Sequence, residues 1–205
     1  EIAFQQAKWV PLNGGSKYRK WYGSNRQVID WLDDGRELKQ SKPATIANLD
    51  FQFQEGITWS KITSSRLSVR ITEPGFIFSA VGLKAFPTRE LSYVGGFLNS
   101  NLVEYFKPIL SSTLSILSGD VGRLPLLFSQ EKNVINELVG RLVDLAKIDW
   151  DAYERSWDFQ SLPFLAASSE PIPTLESSYT AWITQNKDTI AEMKRLEEEN
   201  NRLFI

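Results

Sequence analysis

The residues best suited to binding chemistry lie at positions 13–26, here called the basic-aromatic loop. The loop reads Asn-Gly-Gly-Ser-Lys-Tyr-Arg-Lys-Trp-Tyr-Gly-Ser-Asn-Arg, which places four cations among aromatic and amide side chains. Cations bind phosphates, aromatic rings stack and amides hydrogen-bond to base edges, so this composition favours contact with nucleic acid. The alternative is a lysine-rich hairpin on a solvated surface, where short basic runs are common.

The residue types that catalysis uses most often are missing from the chain. Its 205 residues include neither Cys nor His, which excludes disulfides, thiolate nucleophiles and metal sites built from Cys or His. Residues 149–159, the acidic-aromatic segment, contain four carboxylates but supply no nucleophile and no third type of metal ligand. We therefore predict no catalytic residue and no metal site, and we interpret the segment as packed rings beside solvated carboxylates. The rings are Trp150, Tyr153, Trp157 and Phe159.

The overall composition is that of an ordinary globular protein, with 42% hydrophobic and 23% charged residues. No apolar run approaches the roughly 20 residues that span a bilayer, so we predict no membrane contact and a cytoplasmic location. The net charge of −2 hides an asymmetry, because residues 1–100 hold 13 Lys and Arg against 9 Asp and Glu, whereas residues 101–205 hold 10 against 16. The resulting +4 and −6 indicate one anion-binding surface in the N-terminal half.

Turn residues and alternating apolar residues predict three β-strands after the loop. The strands cover residues 57–59, 67–71 and 76–78, and Gly, Ser, Thr and Pro-Gly turns separate them. In the second strand the apolar side chains share one face, which leaves Ser68 and Arg70 on the other. We expect this second face to meet a polyanion.

Three helices are predicted in the C-terminal half. Thr88 caps the first, which ends at Pro108, and its apolar positions are Leu91, Val94, Leu98, Leu102, Tyr105 and Phe106. Ser129 caps the second, whose core-facing stripe is Val134, Ile135, Leu138, Val139, Leu142, Leu145 and Ala146. Thr174 starts the third, whose loosely heptad-like spacing favours packing on its own chain over a long coiled coil.

Together these elements predict an α+β fold, in which a β-rich DNA-recognition part with supporting helices is followed by a C-terminal helical segment. The Ser- and Pro-rich composition of residues 166–173 is typical of a linker. We therefore divide the chain into a target recognition domain (residues 1–165), a linker (166–173) and a C-terminal helix (174–205). The chain lacks a starting Met, and no cap follows the last helix, so we expect a truncated fragment of a longer protein.

An ordered set of short phrases resembles one protein family. The phrases are Lys8-Trp9-Val10-Pro11, Tyr18-Arg19-Lys20-Trp21-Tyr22-Gly23, Glu55-Gly56-Ile57-Thr58-Trp59-Ser60, Gly75-Phe76-Ile77-Phe78, Gly96-Phe97-Leu98-Asn99-Ser100, Gly119-Asp120-Val121, Leu124-Pro125, Trp150-Asp151-Ala152-Tyr153-Glu154 and Ser156-Trp157-Asp158-Phe159. The family is PglX, the adenine-specific DNA methyltransferases of the BREX phage-defence systems. Single phrases are weakly specific, but the ordered set spans most of the chain.

The resemblance implies that this chain is the part of such an enzyme that reads the DNA sequence. Enzymes of this class carry an Asn-Pro-Pro-Tyr-like motif and a Gly-rich turn for S-adenosylmethionine, and neither occurs here. The chain therefore resembles the C-terminal target recognition region, which is non-catalytic by itself and reads a short double-stranded site while the core flips and methylates adenine. The resemblance implies no cofactor in this segment and S-adenosylmethionine in the full-length enzyme. Its implied partners are double-stranded DNA, the methyltransferase core of the same chain and other BREX proteins.

Under this interpretation, the loop and the β-rich residues 51–86 face the duplex. The expected contacts with base edges, each worth about 1–3 kcal/mol of discrimination, are Arg19, Asn25, Arg26 and Arg66. The expected phosphate contacts are Lys17, Lys20, Lys61, Ser64, Ser65 and Arg70. Tyr22 is a further candidate contact. Trp59 is assigned to the core, and we expect Trp21 to point inward with Arg19 and Lys20 outward.

Two other functions fit parts of the sequence. In the first, the acidic-aromatic segment and the last helix dock onto partner subunits of a defence complex, so that the chain is a protein-interaction module. In the second, seven Trp and six Tyr serve a carbohydrate-binding β domain. The long helical patterns and the clustered cations argue against the second alternative.

Overall fold

The computed structural model describes residues 7–41, 46–64, 66–110, 113–168, 170 and 174–205. The strands within this part of the chain are β1 (Trp9–Asn13), β2 (Gln27–Asp30), β3 (Gly56–Ser60), β4 (Val69–Thr72), β5 (Ile77–Phe78) and β6 (Gly82–Ala85). The helices are α1 (Leu32–Gln40), α2 (Leu91–Leu98), α3 (Asn101–Leu110), α4 (Ser118–Gly122), α5 (Lys132–Asp151) and α6 (Leu175–Leu203), with short 3-10 turns at Leu49–Phe51 and Pro163–Ala166. The predicted α+β class is confirmed.

The first sheet is small and has the order β2-β1-β5. β1 pairs antiparallel with β2 and parallel with β5. Val10, Trp31 and Ile77 form its buried cluster. The strand predicted at residues 76–78 therefore exists as β5. It belongs to this sheet, whereas β4, the strand that precedes it in the sequence, belongs to the other sheet. α1 begins unusually, because Asp33, Asp34 and Gly35 all have left-handed backbone angles before the right-handed turns start.

The second sheet has the order β4-β3-β6, with antiparallel pairing throughout. Ile57, Trp59 and Val69 cover one face and pack under α2 and α3, so the assignment of Trp59 to the core is confirmed. The Nε1 of Trp59 donates to the carbonyl of Ile116 at 3.0 Å. β6 was not predicted, because Gly82-Leu83-Lys84-Ala85 is short and contains a charged residue that is buried.

The polar face of this second sheet is covered, which contradicts its expected exposure to a polyanion. Arg70, Thr58 and Lys84 lie in register across the three strands, and all three are buried. The basic-aromatic loop lies over this face, where the backbone N–H of Arg19 donates to the Ser68 hydroxyl. The alternation of the strand was predicted correctly, but alternation does not show what packs on the second face.

A backbone-pairing Asn separates α2 from α3, where one helix was expected. The side chain of Asn99 accepts from the N–H of Val69 at 2.9 Å and donates to the carbonyl of Val69 at 3.0 Å. Asn99 thereby ties the end of α2 to β4. The N-cap of α2 is Glu90 and not Thr88, and Pro108 lies inside α3 and does not end it. These two boundary predictions were wrong.

α5 and α6 match their sequence patterns closely. In α5 the buried residues are Ile135, Leu138, Val139, Leu142, Leu145, Ala146 and Trp150. Val134, which was assigned to the same stripe, is exposed, and Glu131 takes the N-cap position expected for Ser129. Thr174 caps α6 as predicted, since its hydroxyl accepts from the N–H of Ser177 at 3.0 Å.

The C-terminal half of α6 packs on the rest of the chain, as its spacing predicted. Leu196 joins the core cluster of α5, and Phe204 contacts the rings of Tyr93 and Phe97. The side-chain amide of Asn200 donates to the carbonyl of Gly96 at 3.0 Å. The domain division at residues 166–173 stays a prediction, because residues 169 and 171–173 lie outside the described part. No helix in the described part is long and apolar enough to cross a membrane.

Buried Lys84 gives the fold an expected pH dependence. Its Nζ donates to the carbonyl of Gln54 at 2.6 Å, and burial lowers the pKa of Lys84 to about 8. Between this value and the ordinary pKa near 10.5, the unfolded chain binds more protons than the folded one, so stability rises with pH. Replacing Lys84 with Met should remove about 1–2 kcal/mol of the rise between about pH 7.5 and 9.5. Urea denaturation at both pH values measures this difference.

The matched control for this experiment is Lys187→Met, because Lys187 is exposed on α6. This control should keep the pH dependence of the unmodified protein. An equal rise in stability with pH in the Lys84→Met protein and the control would show that Lys84 is not the responsible group.

Candidate nucleic-acid interface

Trp21 anchors the basic-aromatic loop in the interior. Its side chain is 1% exposed, and its Nε1 donates to the Glu197 carboxylate of α6 at 2.7 Å. Its backbone N–H donates to the carbonyl of Val69, and its carbonyl accepts from the N–H of Ile71, so the loop pairs briefly with β4. Trp21 reaches this geometry with a left-handed φ of 70°. The expectation that Trp21 points inward is confirmed.

Arg19 and Lys20 point toward helices α5 and α6, so the expectation that they face outward was wrong. The guanidinium of Arg19 donates to the Asp149 carboxylate at 2.8 Å and to the carbonyls of Ala146 and Tyr22. The ammonium of Lys20 lies 3.2 Å from the Glu197 carboxylate. The contacts with Ala146, Asp149 and Glu197 bridge more than a hundred residues of sequence and hold the loop against the helices.

Three other predicted contact residues are buried, namely Tyr22, Asn25 and Arg70. Burial, followed by the charge of Glu73, raises the pKa of Tyr22. Burial, together with the nearby charge of Arg19, lowers the pKa of Arg70 to about 10. Nη1 of Arg70 has no hydrogen-bond partner within the described residues. Contact between these three side chains and DNA stays a prediction, and it would require the loop to move.

The remaining predicted residues lie nearer the surface, and several share one end of the second sheet. The N–H of Ser16 donates to the Ser60 hydroxyl at 2.8 Å, and that hydroxyl donates to the carbonyl of Ser16 at 2.9 Å. This pair of hydrogen bonds places Lys17 beside the end of β3, where Lys61 follows. We call this surface the cationic edge, and its residues are Lys17, Lys61, Ser64 and Arg66, of which the last three lie between the end of β3 and the start of its antiparallel partner β4.

The cations of the cationic edge are not neutralised within the described residues. Lys17 and Arg66 are exposed and Lys61 is half-buried. Arg66 donates to the side-chain oxygen of Asn101 at 3.3 Å, and no ion pair to the described part of the chain involves any of the three. Ser64 is also exposed. Ser65, which lies between Ser64 and Arg66 in the sequence and was also predicted to contact a phosphate, is outside the described residues.

Arg26 occupies a different place from the cationic edge. It is exposed at the C-terminal end of the loop, and its guanidinium lies 5.4 Å from the ring centre of Trp150. Arg19 lies 5.2 Å from the same ring, so Trp150 holds two cations of the loop. Trp150 is buried as predicted.

Two features of this surface escaped the sequence reasoning. Tyr18 is 49% exposed between the cations of the loop, although Tyr22 was taken as the aromatic contact. In the acidic-aromatic segment, Tyr153 and Trp157 are both exposed, so the prediction that they pack was wrong for Tyr153 and holds only in part for Trp157, whose ring stacks on that of Phe76. The signal for Tyr18 was its place next to Lys17. No local signal separated Trp157 from the buried Trp150.

Two curated proteins are similar to this chain, whereas no protein-family model matches it. The adenine-specific methyltransferase PglX of Lacticaseibacillus casei is 34% identical over 208 residues, covering 96% of this chain and 17% of that protein. The adenine-specific methyltransferase BrxX of Escherichia coli O9:H4 is 32% identical over 157 residues, covering 75% of this chain and 13% of that protein. The chain thus spans less than a fifth of the length of these relatives.

Proposed function

Because this chain is a segment of the PglX family, we propose that it reads the target site of a longer adenine-specific DNA methyltransferase. The segment is non-catalytic and binds a short double-stranded site. Transfer of the methyl group and binding of S-adenosylmethionine belong to the methyltransferase core of the same chain. In this proposal the enzyme acts in the cytoplasm as part of a BREX-type phage-defence system, and other BREX proteins are its further partners.

The observation that carries this proposal is the cationic edge. Lys17 and Lys61 come from distant parts of the sequence, yet the Ser16–Ser60 hydrogen bonds place them at one end of the sheet. Unneutralised ammonium groups that share one surface are suited to phosphates. Arg66 adds a planar guanidinium, whose two donors fit the O6 and N7 acceptors of guanine.

In this proposal, the role of Arg19 and Lys20 is to hold the loop in place. Their ion pairs with Asp149 and Glu197 fix the residues that follow Lys17, and so fix where Lys17 and Tyr18 emerge. Arg26 is the second candidate for a base edge, on the side of α5. The segment would therefore divide its cations into an internal set that positions the loop and an external set that contacts DNA.

Single substitutions in the full-length enzyme test the proposal. Arg66→Ala should weaken binding to the DNA sequence that the enzyme methylates by about 5- to 150-fold, as expected for the loss of one specific base contact. Lys61→Ala should weaken binding to all sequences and reduce the slope of log affinity against log salt by about 0.9. Titration of a labelled duplex at several salt concentrations measures both effects.

Lys187→Ala provides the control, because Lys187 is an exposed lysine on α6, away from the loop in sequence. It should leave both the affinity and the salt slope unchanged. If Arg66→Ala and Lys61→Ala behave like this control, the cationic edge does not bind DNA. Weak, salt-insensitive DNA binding together with tight binding to a protein partner would instead favour the protein-interaction module.

A further inference from the structure

An open pocket of about 200 Å³ lies on the side of the loop that faces the acidic-aromatic segment. Distant parts of the chain meet there: β1, the loop, the turn between β4 and β5, the end of α5 and the residues after it. Its aromatic walls are Tyr22, Phe76, Trp150 and Trp157. Trp157 is 50% exposed, and its ring lies 6.4 Å from that of Phe76 with 24° between the planes.

Both charged residues that line this pocket are acidic. Glu73 and Asp158 line it, and Asp151 accepts a hydrogen bond from the Ser156 hydroxyl in the same wall. Lys147 pairs with Glu73 at 2.6 Å, but Asp158 has no ion pair within the described residues. Burial is the largest cause of the raised pKa of the Tyr22 phenol; the negative charges of Glu73, Asp151 and Asp158 raise this pKa further, whereas the charge of Lys147 lowers it, so the field of the three carboxylates reaches the phenol. Such a field disfavours a phosphate.

Cations of the chain already use the aromatic faces of this cluster. The ammonium of Lys147 lies 5.2 Å from the ring centre of Tyr22, and the guanidinium of Arg26 lies 5.4 Å from that of Trp150. Distances below about 6 Å are those of attractive cation–π contacts. Trp157 makes no such contact with a described residue, so its exposed ring is open to a cation from outside.

We propose that this pocket binds an arginine side chain of a partner protein. The planar guanidinium stacks on an aromatic face, and its fork of N–H donors matches a carboxylate such as that of Asp158. Lysine offers the charge without the plane, so it fits the pocket less well. The site is separate from the cationic edge, and its charged lining residues are acidic where those of the edge are basic.

The probe for this proposal is a blocked Gly-Arg-Gly peptide, compared with the same peptide carrying neutral citrulline. Ligand-observed NMR with the full-length enzyme measures the weak affinities expected of one side chain. The arginine peptide should bind about tenfold more tightly than the citrulline peptide. Trp157→Ala and Asp158→Asn should each lower its affinity by about 5-fold or more, whereas Trp157→Phe should retain most of it.

Tyr179→Ala is the matched control, because Tyr179 is an aromatic residue of α6 with 55% exposure. It should bind the arginine peptide as the unmodified enzyme does. Equal affinity for the arginine and citrulline peptides, or unchanged affinity in Trp157→Ala, would overturn the proposal. Absence of binding to the unmodified full-length enzyme would also overturn it, because a pocket closed in that enzyme cannot receive a partner.

Discussion

Replacing Trp21 with alanine should destabilise the folded protein by about 3–5 kcal/mol. The ring is fully buried in the cluster that also contains Ile135 and Leu142 of α5. Its removal leaves a cavity and deprives the Glu197 carboxylate of the Nε1 donor at 2.7 Å. The cavity and the lost hydrogen bond both lie where the loop, the sheet and α6 meet. Urea denaturation of the purified protein, followed by circular dichroism, measures the change.

Trp9→Ala is the control for this prediction, because Trp9 is 57% exposed. Its loss should change the free energy of unfolding by less than about 1 kcal/mol. Trp21→Phe should fall between the two, since it keeps part of the buried aromatic side chain but loses the hydrogen bond to Glu197. Equal effects of Trp21→Ala and Trp9→Ala would mean that Trp21 is not the anchor of the loop.

Local patterns predicted the long helices and the central strands well. The apolar stripe of α5 and the Thr174 cap of α6 both depend on residues within a few positions of each other. Trp59 could be assigned to the core because it lies in a β pattern and burial of its large apolar side chain is favourable. Predictions of this kind succeed because the pattern and its cause lie in the same short segment.

Features that depend on distant residues could not be predicted from such patterns. α2 ends at Asn99 because its amide pairs with the backbone of β4, 30 residues earlier. Arg19 and Lys20 were expected to face outward because their partners, Asp149 and Glu197, lie more than 120 residues away. Clustered cations in a sequence therefore indicate a binding surface only after such internal partners are known.

The composition of the candidate site was thus only partly predictable. Lys17, Lys61, Ser64 and Arg66 were chosen by residue type and lie at or near the surface, although their role in DNA binding stays a prediction. Arg70 was chosen by strand alternation and is buried, because the loop covers the polar face of the sheet. Alternation identifies a face, whereas the element that covers the face depends on tertiary structure.

Exchange of the segment between two family members should change the DNA sequence that is methylated. If the segment reads the target, a full-length enzyme whose residues 7–205 are replaced by the matching segment of a relative should methylate the site of that relative. Under the proposed function, the core would transfer the methyl group in either case, because the adenine would be flipped into it after recognition. The effect is a change of site and not a partial loss of activity.

The most direct test of the central claim is therefore a genome-wide map of methylated adenines in cells that express this chimera. The donor is a relative that methylates a different site, and cells with each parent enzyme and with no enzyme provide the controls. We predict that methylated adenines in the chimera cells lie within the sequence recognised by the donor of the segment. Methylation within the sequence recognised by the donor of the core would contradict the proposal.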